Sequence, residues 1–294
     1  MAADAAAGVI HRLAPAKVNL TLHLCGRRAD GYHLLDSLVV FPEIGDRIEA
    51  HAAPGLSLEV SGPFAEGLSA GPDNLVLRAA AALAARHGVR QGAALHLVKN
   101  LPVASGIGGG SSDAAAALEL LSRLWDVPVP DELALSLGAD VPVCRAAPAP
   151  VRMQGIGDRL MPAPPLPGFW SVLVNPRVAV PTAAVFAGLR DRNPIPPPEM
   201  PGGGIGGFAD FTAWLATQRN DLQVPATEIC PAIGEVLDAL SAAPLARMSG
   251  SGATCFALLP DQAQAEAQAE GLRRSRPGWW IAAAPVSAAA MPAG

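Results

Sequence analysis

Residues Leu101 to Asp113 read LPVASGIGGGSSD, and the reading of the whole chain turns on them. Ala94 to Val98, just before, reads as a strand. Leu118, Leu121 and Trp125, just after, recur at helical spacing and predict a helix running to about Trp125. Gly106, Gly108, Gly109 and Gly110 strip side chains from this strand–helix junction, so backbone amides can approach an anion closely. The helix start adds unpaired N–H groups and about half a positive charge. Ser111 and Ser112 place hydroxyls on the first turn, suited to phosphate oxygens or to water on Mg²⁺. Four glycines in five positions are costly at such a junction unless a ligand needs the bare backbone. No Lys-Ser or Lys-Thr follows them, so this is not a P-loop. Ser111 stands where a dinucleotide fingerprint starting at Gly106 requires glycine, which argues against a dinucleotide-dependent oxidoreductase.

Working outward, Val18 to Cys25 alternates: Val18, Leu20, Leu22 and Leu24 face one way, Asn19, Thr21, His23 and Cys25 the other. Period two predicts a half-buried strand, with Lys17 on the polar side. Arg27 to His33, RRADGYH, reads as a turn around Asp30-Gly31 followed by a strand from Leu34 to Phe41. Leu56 to Val60 is a further short strand. Pro72-Asp73-Asn74 opens a helix over Leu75 to His87, and Gly88 stops it. Asp131 reads as the cap of a short helix ending at Gly138. Pro162 to Gly168, PAPPLPG, reads as a linker and divides the chain into residues 1–164 and 165–294. Beyond it, strand (Thr254 to Leu259), helix (Asp261 to Arg274) and strand (Trp279 to Ala284) predict an α+β second domain. The Pro/Gly-rich Asn193 to Gly207 reads as a mobile loop and the alanine-rich ends as frayed tails.

Composition narrows the class. Of 294 residues half are hydrophobic, enough for a sizeable core, and the net charge of −5 lacks the basic excess of a nucleic-acid binder. There is no apolar run of membrane-spanning length, and Met1 to Ala16 lacks the pattern of a secretory leader, so a cytoplasmic protein is expected. Cys25, Cys144, Cys230 and Cys255 are scattered without metal-ligand spacing and read as reduced thiols; no protein metal site is expected. Of 21 basic residues only Lys17 and Lys99 are lysines, which hints that a compact ammonium is needed at one of them. Lys99 reads either as solvated or as reaching toward a phosphate. A second glycine cluster, Ser249-Gly250-Ser251-Gly252, precedes a strand and reads as a tight turn or as more backbone laid against phosphate.

Three segments in order resemble one superfamily. PAKVNL (residues 15–20), PVASGIGGGSSDAAAAL (102–118) and RMSGSGATCFA (247–257) resemble the three motifs of the GHMP kinases, named for galactokinase, homoserine, mevalonate and phosphomevalonate kinases. RRADGYHLLDSL, GADVPV, QGIGDRL and RNDLQVPA resemble one branch of it, whose members phosphorylate a hydroxyl of a cytidine diphosphate-linked polyol on the non-mevalonate isoprenoid route. The resemblance implies an α+β fold of two domains, the first like domain 2 of ribosomal protein S5 and the second ferredoxin-like. It implies ATP with Mg²⁺, cytidine diphosphate methylerythritol as the small-molecule substrate, no nucleic-acid or membrane partner, and a monomer or homodimer.

The resemblance also assigns roles. Lys17 and Asp140 match catalytic positions. Pro102, Val103, Ala104, Ser105, Gly106, Ile107, Gly108, Gly109, Gly110, Ser111 and Ser112 match the ATP loop. Asn19, Tyr32, His33 and Phe186 match substrate positions, with Tyr32 and Phe186 on the two faces of the cytosine and His33 at its edge. Ser249, Gly250, Ser251 and Gly252 form the phosphate-proximal turn. Asp140 also stands out without the resemblance, as a lone carboxylate in the apolar segment ADVPV. Bland alternatives stand beside each role: a strand-bonding Asn19, a core Phe186, a helix-end Asp140. Departures are modest, chiefly Ala104-Ser105, where glycine is common. Another kinase of the superfamily, or a sensor that has lost catalysis, remains the alternative; Tyr32-His33 argues against the first and retention of Lys17 with Asp140 against the second.

Overall fold

The structure is a computed structural model that describes residues 8–189, 198–199 and 204–287. The alanine-rich ends and most of the Pro/Gly-rich stretch lie outside those residues. In chain order the elements are β1 (Ile10–Pro15), β2 (Val18–Asn19), β3 (His23–Arg27), β4 (His33–Val40), β5 (Gly45–Ala53), β6 (Ser57–Ser61), α1 (Leu75–His87), β7 (Gly92–Val98), α2 (Gly109–Trp125), α3 (Asp131–Leu137) and α4 (Val141–Arg145). Then follow β8 (Val151–Gly155), β9 (Arg159–Pro162), β10 (Phe169–Asn175), α5 (Thr182–Ala187), α6 (Phe208–Ala216), α7 (Gln223–Ile229), α8 (Ala232–Leu240), β11 (Leu245–Met248), β12 (Cys255–Leu259), α9 (Gln262–Ser275) and β13 (Trp280–Val286). No helix among the described residues is long and apolar enough to cross a membrane.

These elements form two compact units, each built from separate stretches of chain. The first takes residues up to Pro15, then Gly45–Leu101 and Gly109–Arg145; the second takes Ala16–Ile44, Pro102–Gly108 and the chain from Ala146 onward. A single cut at 164/165 therefore does not separate them, and the proline-rich Pro162–Gly168 lies inside the second unit.

In the first unit a four-stranded sheet runs β1-β5-β7-β6, antiparallel except for the parallel β6–β7 pair. Helix α2 packs on β1 and β5 and against α1 and α4. Its alanines, Ala114 to Ala117, are buried with Leu118, Leu120 and Leu121, because small side chains let a helix lie close to its neighbours on several sides. Helix α1 begins and ends where the sequence places it. Asn74 caps it by accepting the Val76 N–H, and Gly88, at φ 66°, ends it in the left-handed region. The short α3 differs: Pro130 is the residue before its first turn, and Asp131 lies inside that turn without a side-chain cap.

The second unit holds two sheets. In one, β2, β4, β8 and β9 follow in that order, with β3 also paired to β4; in the other, β11-β12-β10-β13 are all antiparallel, with α9 packed on β10, β12 and β13. Val172, Val174, Leu222, Ile233, Val236, Leu240 and Met248 form its core, which also takes in Leu22 and Leu24. The predicted strand over Val18–Cys25 is two shorter strands, and of its polar side only Cys25 is open to solvent. Asn19, Thr21 and His23 are as buried as the leucines between them. The reason is that each polar side chain has a partner inside. Asn19 Nδ2 donates to Ser37 Oγ at 2.8 Å, Leu38 N–H donates to Thr21 Oγ1 at 2.9 Å, and Arg219 N–H donates to His23 Nε2 at 3.3 Å.

Candidate active site

Most of the residues implicated by sequence belong to the second unit: Lys17, Asn19, Tyr32, His33, the loop Pro102–Gly108, Phe186 and Ser249–Gly252. Gly109, Gly110, Ser111, Ser112 and Asp140 belong to the first.

Within the second unit the three motifs meet through their backbones. Lys17 N–H donates to Ile107 O at 2.9 Å, and Thr254 N–H donates to Ser105 O at 3.1 Å. The Ser249 hydroxyl accepts the Asn19 N–H at 3.1 Å and donates to Gly106 O at 3.4 Å, so one side chain touches both other motifs. Glycine is required where these segments abut. A Cβ on Gly106 (φ +74°) would lie 2.4 Å from Gly252 O, and one on Gly250 (φ +56°) would lie 2.7 Å from Gly106 O. The second glycine cluster thus earns its glycines by pressing on the first. Gly108 (φ +69°) leaves room for Lys17, whose Cβ would be 3.2 Å from a Cβ there. Ala104 adopts φ 51° without glycine's freedom, a left-handed conformation that costs an alanine about 1 kcal/mol.

Of the three rings that the resemblance implicates, two pack together. The His33 and Phe186 rings pack at 5.2 Å between centroids, tilted by 32°. Burial, helped by Arg27, lowers the His33 pKa, so near neutral pH its ring is uncharged and offers one donor and one acceptor. Tyr32 is 62% exposed and makes no ring contact with either among the described residues. Its backbone closes the predicted turn: Arg28 N–H donates to Tyr32 O at 2.8 Å, while Arg28 pairs with Asp30. Thr182, the first residue of α5, shares a 2.8 Å hydrogen bond with Ser251.

Asn19 is fully buried. Its Nδ2 serves Ser37 on β4, as the strand-bonding alternative has it, while its Oδ1 has no hydrogen-bond partner among the described residues.

In the first unit Gly109 and Gly110 begin α2, and a Cβ on Gly110 would meet open space. Protein packing therefore does not demand glycine there, which fits a backbone kept bare for a ligand. The Ser112 hydroxyl donates to Pro15 O at 2.7 Å; Ser111 is the more open of the two serines. Asp140 directly precedes α4 and its carbonyl accepts the Cys144 N–H. Lys99 is neither solvated nor open to a phosphate: it is buried, bonded to Asp46 and Asp113.

The segment Arg219-Asn220-Asp221 carries no role that its local sequence announces. It braces the site from behind. Asn220 Nδ2 donates to Met248 O at 2.8 Å and to Gly250 O at 2.9 Å, fixing the serine–glycine turn. Asp221 Oδ2 accepts the Leu24 N–H at 2.7 Å, ahead of the turn that carries Tyr32. The same holds for Arg247. Its buried guanidinium donates to Leu20 O, Leu215 O and Gln218 O at 2.7, 2.7 and 2.9 Å, and burial lowers its pKa to about 10. A polar side chain amid small residues was the available signal, but nothing local says which carbonyls it will meet.

Two family models match the chain: GHMP kinases N terminal domain over residues 74–147 and GHMP kinases C terminal over residues 203–277. The fold is that of the GHMP small-molecule kinases. The chain is 57% identical over 279 residues to a 4-diphosphocytidyl-2-C-methyl-D-erythritol kinase of Ruegeria pomeroyi, covering 93% of this chain and 98% of that protein. It is similar to the crystal structure of 4-(cytidine 5'-diphospho)-2C-methyl-D-erythritol kinase, with a TM-score of 0.77, 33% identity, and coverage of 95% and 100%. A homoserine kinase from Cytophaga hutchinsonii shares the fold alone, at a TM-score of 0.66, 15% identity, and coverage of 99% and 100%. Within the GHMP kinases, the chain belongs to the 4-diphosphocytidyl-2-C-methyl-D-erythritol kinase family.

Proposed function

We propose that this enzyme transfers the γ-phosphoryl group of ATP to the 2-hydroxyl of 4-diphosphocytidyl-2-C-methyl-D-erythritol, giving the 2-phosphate and ADP. The observation that carries the reading is the meeting, in one unit, of the first and third kinase motifs with the loop Pro102–Gly108 of the second; the His33–Phe186 pair belongs to the same unit. The extent of identity to the Ruegeria pomeroyi kinase supports the choice of acceptor.

Phosphoryl transfer asks a protein for alignment, charge neutralisation and help with the acceptor proton. The loop Pro102–Gly108 and the first turn of α2 cradle the phosphates with backbone N–H groups. Lys17 supplies the compact cation at the reacting end. Asp140 accepts the proton of the 2-hydroxyl as the new O–P bond forms and the bond to ADP breaks. His33 reads the edge of the cytosine, between the rings of Tyr32 and Phe186, and Asn19 holds the substrate on the opposite strand. Mg²⁺ would be held by the phosphate oxygens and by Ser111, whose hydroxyl is more open than that of Ser112, and would supply charge neutralisation there; among the described residues no group of three His, Cys, Asp or Glu could hold a metal ion. The divisions 1–164 and 165–294 are the sequence modules of this reading. The enzyme works in the cytoplasm as a monomer or homodimer.

ADP release is the test, with ATP, Mg²⁺ and the cytidine acceptor run beside homoserine, mevalonate and galactose. Turnover with the cytidine compound alone is the expected outcome. Turnover with another acceptor would keep the kinase and discard the roles of Tyr32, His33 and Phe186.

A further inference from the structure

Three charged side chains lie almost wholly inside the first unit, and the chemistry above uses none of them. Asp46 on β5, Lys99 just past β7 and Asp113 on α2 are 0%, 4% and 3% exposed. Lys99 Nζ donates to Asp46 Oδ2 and, at 2.7 Å, to Asp113 Oδ2. The other Asp46 oxygen accepts the N–H groups of Asn100 at 2.5 Å and Leu101 at 2.8 Å. A Cβ on Gly109 would stand 3.5 Å from Lys99 Nζ and 3.8 Å from Asp46 Oδ2, so the first residue of α2 rests on the cluster.

Buried ion clusters are weak sources of stability, since apolar side chains of similar volume often do as well. What sets this one apart is where its bonds go. Residues Lys99 to Leu101 are the stem from which Pro102–Gly108 departs, and Gly109 to Asp113 is the stem to which it returns. Asp46 grips the outgoing stem by two backbone N–H groups, and Lys99 ties that grip to Asp113 on the returning stem. Both stems are thus fixed before any ligand arrives. A loop that binds through backbone N–H groups loses affinity when it must be ordered at the moment of binding.

We propose that Asp46, Lys99 and Asp113 are positioning residues that clamp the two stems of the glycine loop and thereby set the affinity for the triphosphate of ATP. The inference rests on the kinase reading. The acceptor is held by other segments, so the clamp acts on one substrate and not on the other.

The experiment is steady-state kinetics of Asp113→Ala and Asp113→Asn with each substrate varied, beside calorimetric titration with ATP and thermal melts. Asp113→Ala is expected to raise KM and Kd for ATP about tenfold, with kcat and the acceptor KM within about twofold of wild type. Asp113→Asn keeps an oxygen that can accept from Lys99 and is expected to restore much of the loss. Equal rises in both Michaelis constants, or an unchanged ATP affinity in a folded variant, would overturn the clamp. If Asp113→Ala does not fold, Asp113→Leu and Lys99→Met, which keep most of the volume and remove the pairing, decide the matter, and unchanged ATP affinity in either folded variant sinks the clamp. Should wild type bind ATP but phosphorylate none of the acceptors, the kinase reading falls, while the calorimetric comparison still tests the clamp.

Discussion

Asp140 stands at the head of α4 in an apolar stretch, and the proposed chemistry asks it to take a proton from the acceptor hydroxyl. Asp140→Asn keeps the shape and removes the basicity, so turnover is expected to fall about a thousandfold while ATP binding by calorimetry stays near wild type. Equal loss of both would give Asp140 a structural role instead. His23 is a residue where pH acts on stability. Burial, followed by the charge of Arg219, lowers its pKa from 6.5 to about 4, and the neutral ring accepts the Arg219 N–H. The folded state therefore binds fewer protons than the unfolded one between those values. The stabilisation is present in full above about 6.5 and is lost as pH falls through about 4. Melting temperature is expected to drop more steeply from pH 7 to 4.5 in wild type than in His23→Gln; parallel slopes would remove His23 from the account. Lys99 teaches the limit of composition at this scale. Its rarity marked it as special, but its partners Asp46 and Asp113 stand 53 and 14 residues away in sequence, and no local pattern announces them.

Among elements, the glycine loop separates two uses of glycine. Gly106 is needed by the protein, since its Cβ would strike Gly252 O and its φ is positive. Gly110 is not, since its Cβ meets open space within a helix. Gly106→Ala is therefore expected to lower stability by about 2 kcal/mol or more. Gly110→Ala is expected to raise stability by up to about 1 kcal/mol through helix propensity while weakening ATP binding. Thermal melts paired with ATP titration check both; unchanged ATP affinity in Gly110→Ala would take the phosphate away from that helix start. Elements with strong local signals were legible in advance: α1 with its Asn74 cap and Gly88 stop, α9 behind Asp261, and the strand-to-helix passage around Gly109. The Val18–Cys25 segment was not. Its alternation is real, but the polar side finds partners in Ser37, the Leu38 N–H and Arg219, so exposure cannot be read from period two alone.

For the molecule as a whole, the order of three motifs along the chain was enough to reach the GHMP kinases, and RRADGYHLLDSL, GADVPV, QGIGDRL and RNDLQVPA the branch within them; close approach of backbone to an anion favours glycine and small residues at set positions. Composition could not give the units. Residues 16–44 and 102–108 leave their sequence neighbours to join the second unit, and long-range packing carries no mark in local propensity. The family was legible in the sequence through the resemblance of its motifs, and the glycine loop and the best-signalled helices through local backbone geometry. Only the tertiary structure decided what holds them. It set Asn220 and Arg247 under the turns, gave Ser249 to both other motifs, and buried Lys99 between two carboxylates. Buried polar groups must find hydrogen-bond partners wherever the chain brings them, and those partners are chosen by packing rather than by sequence distance.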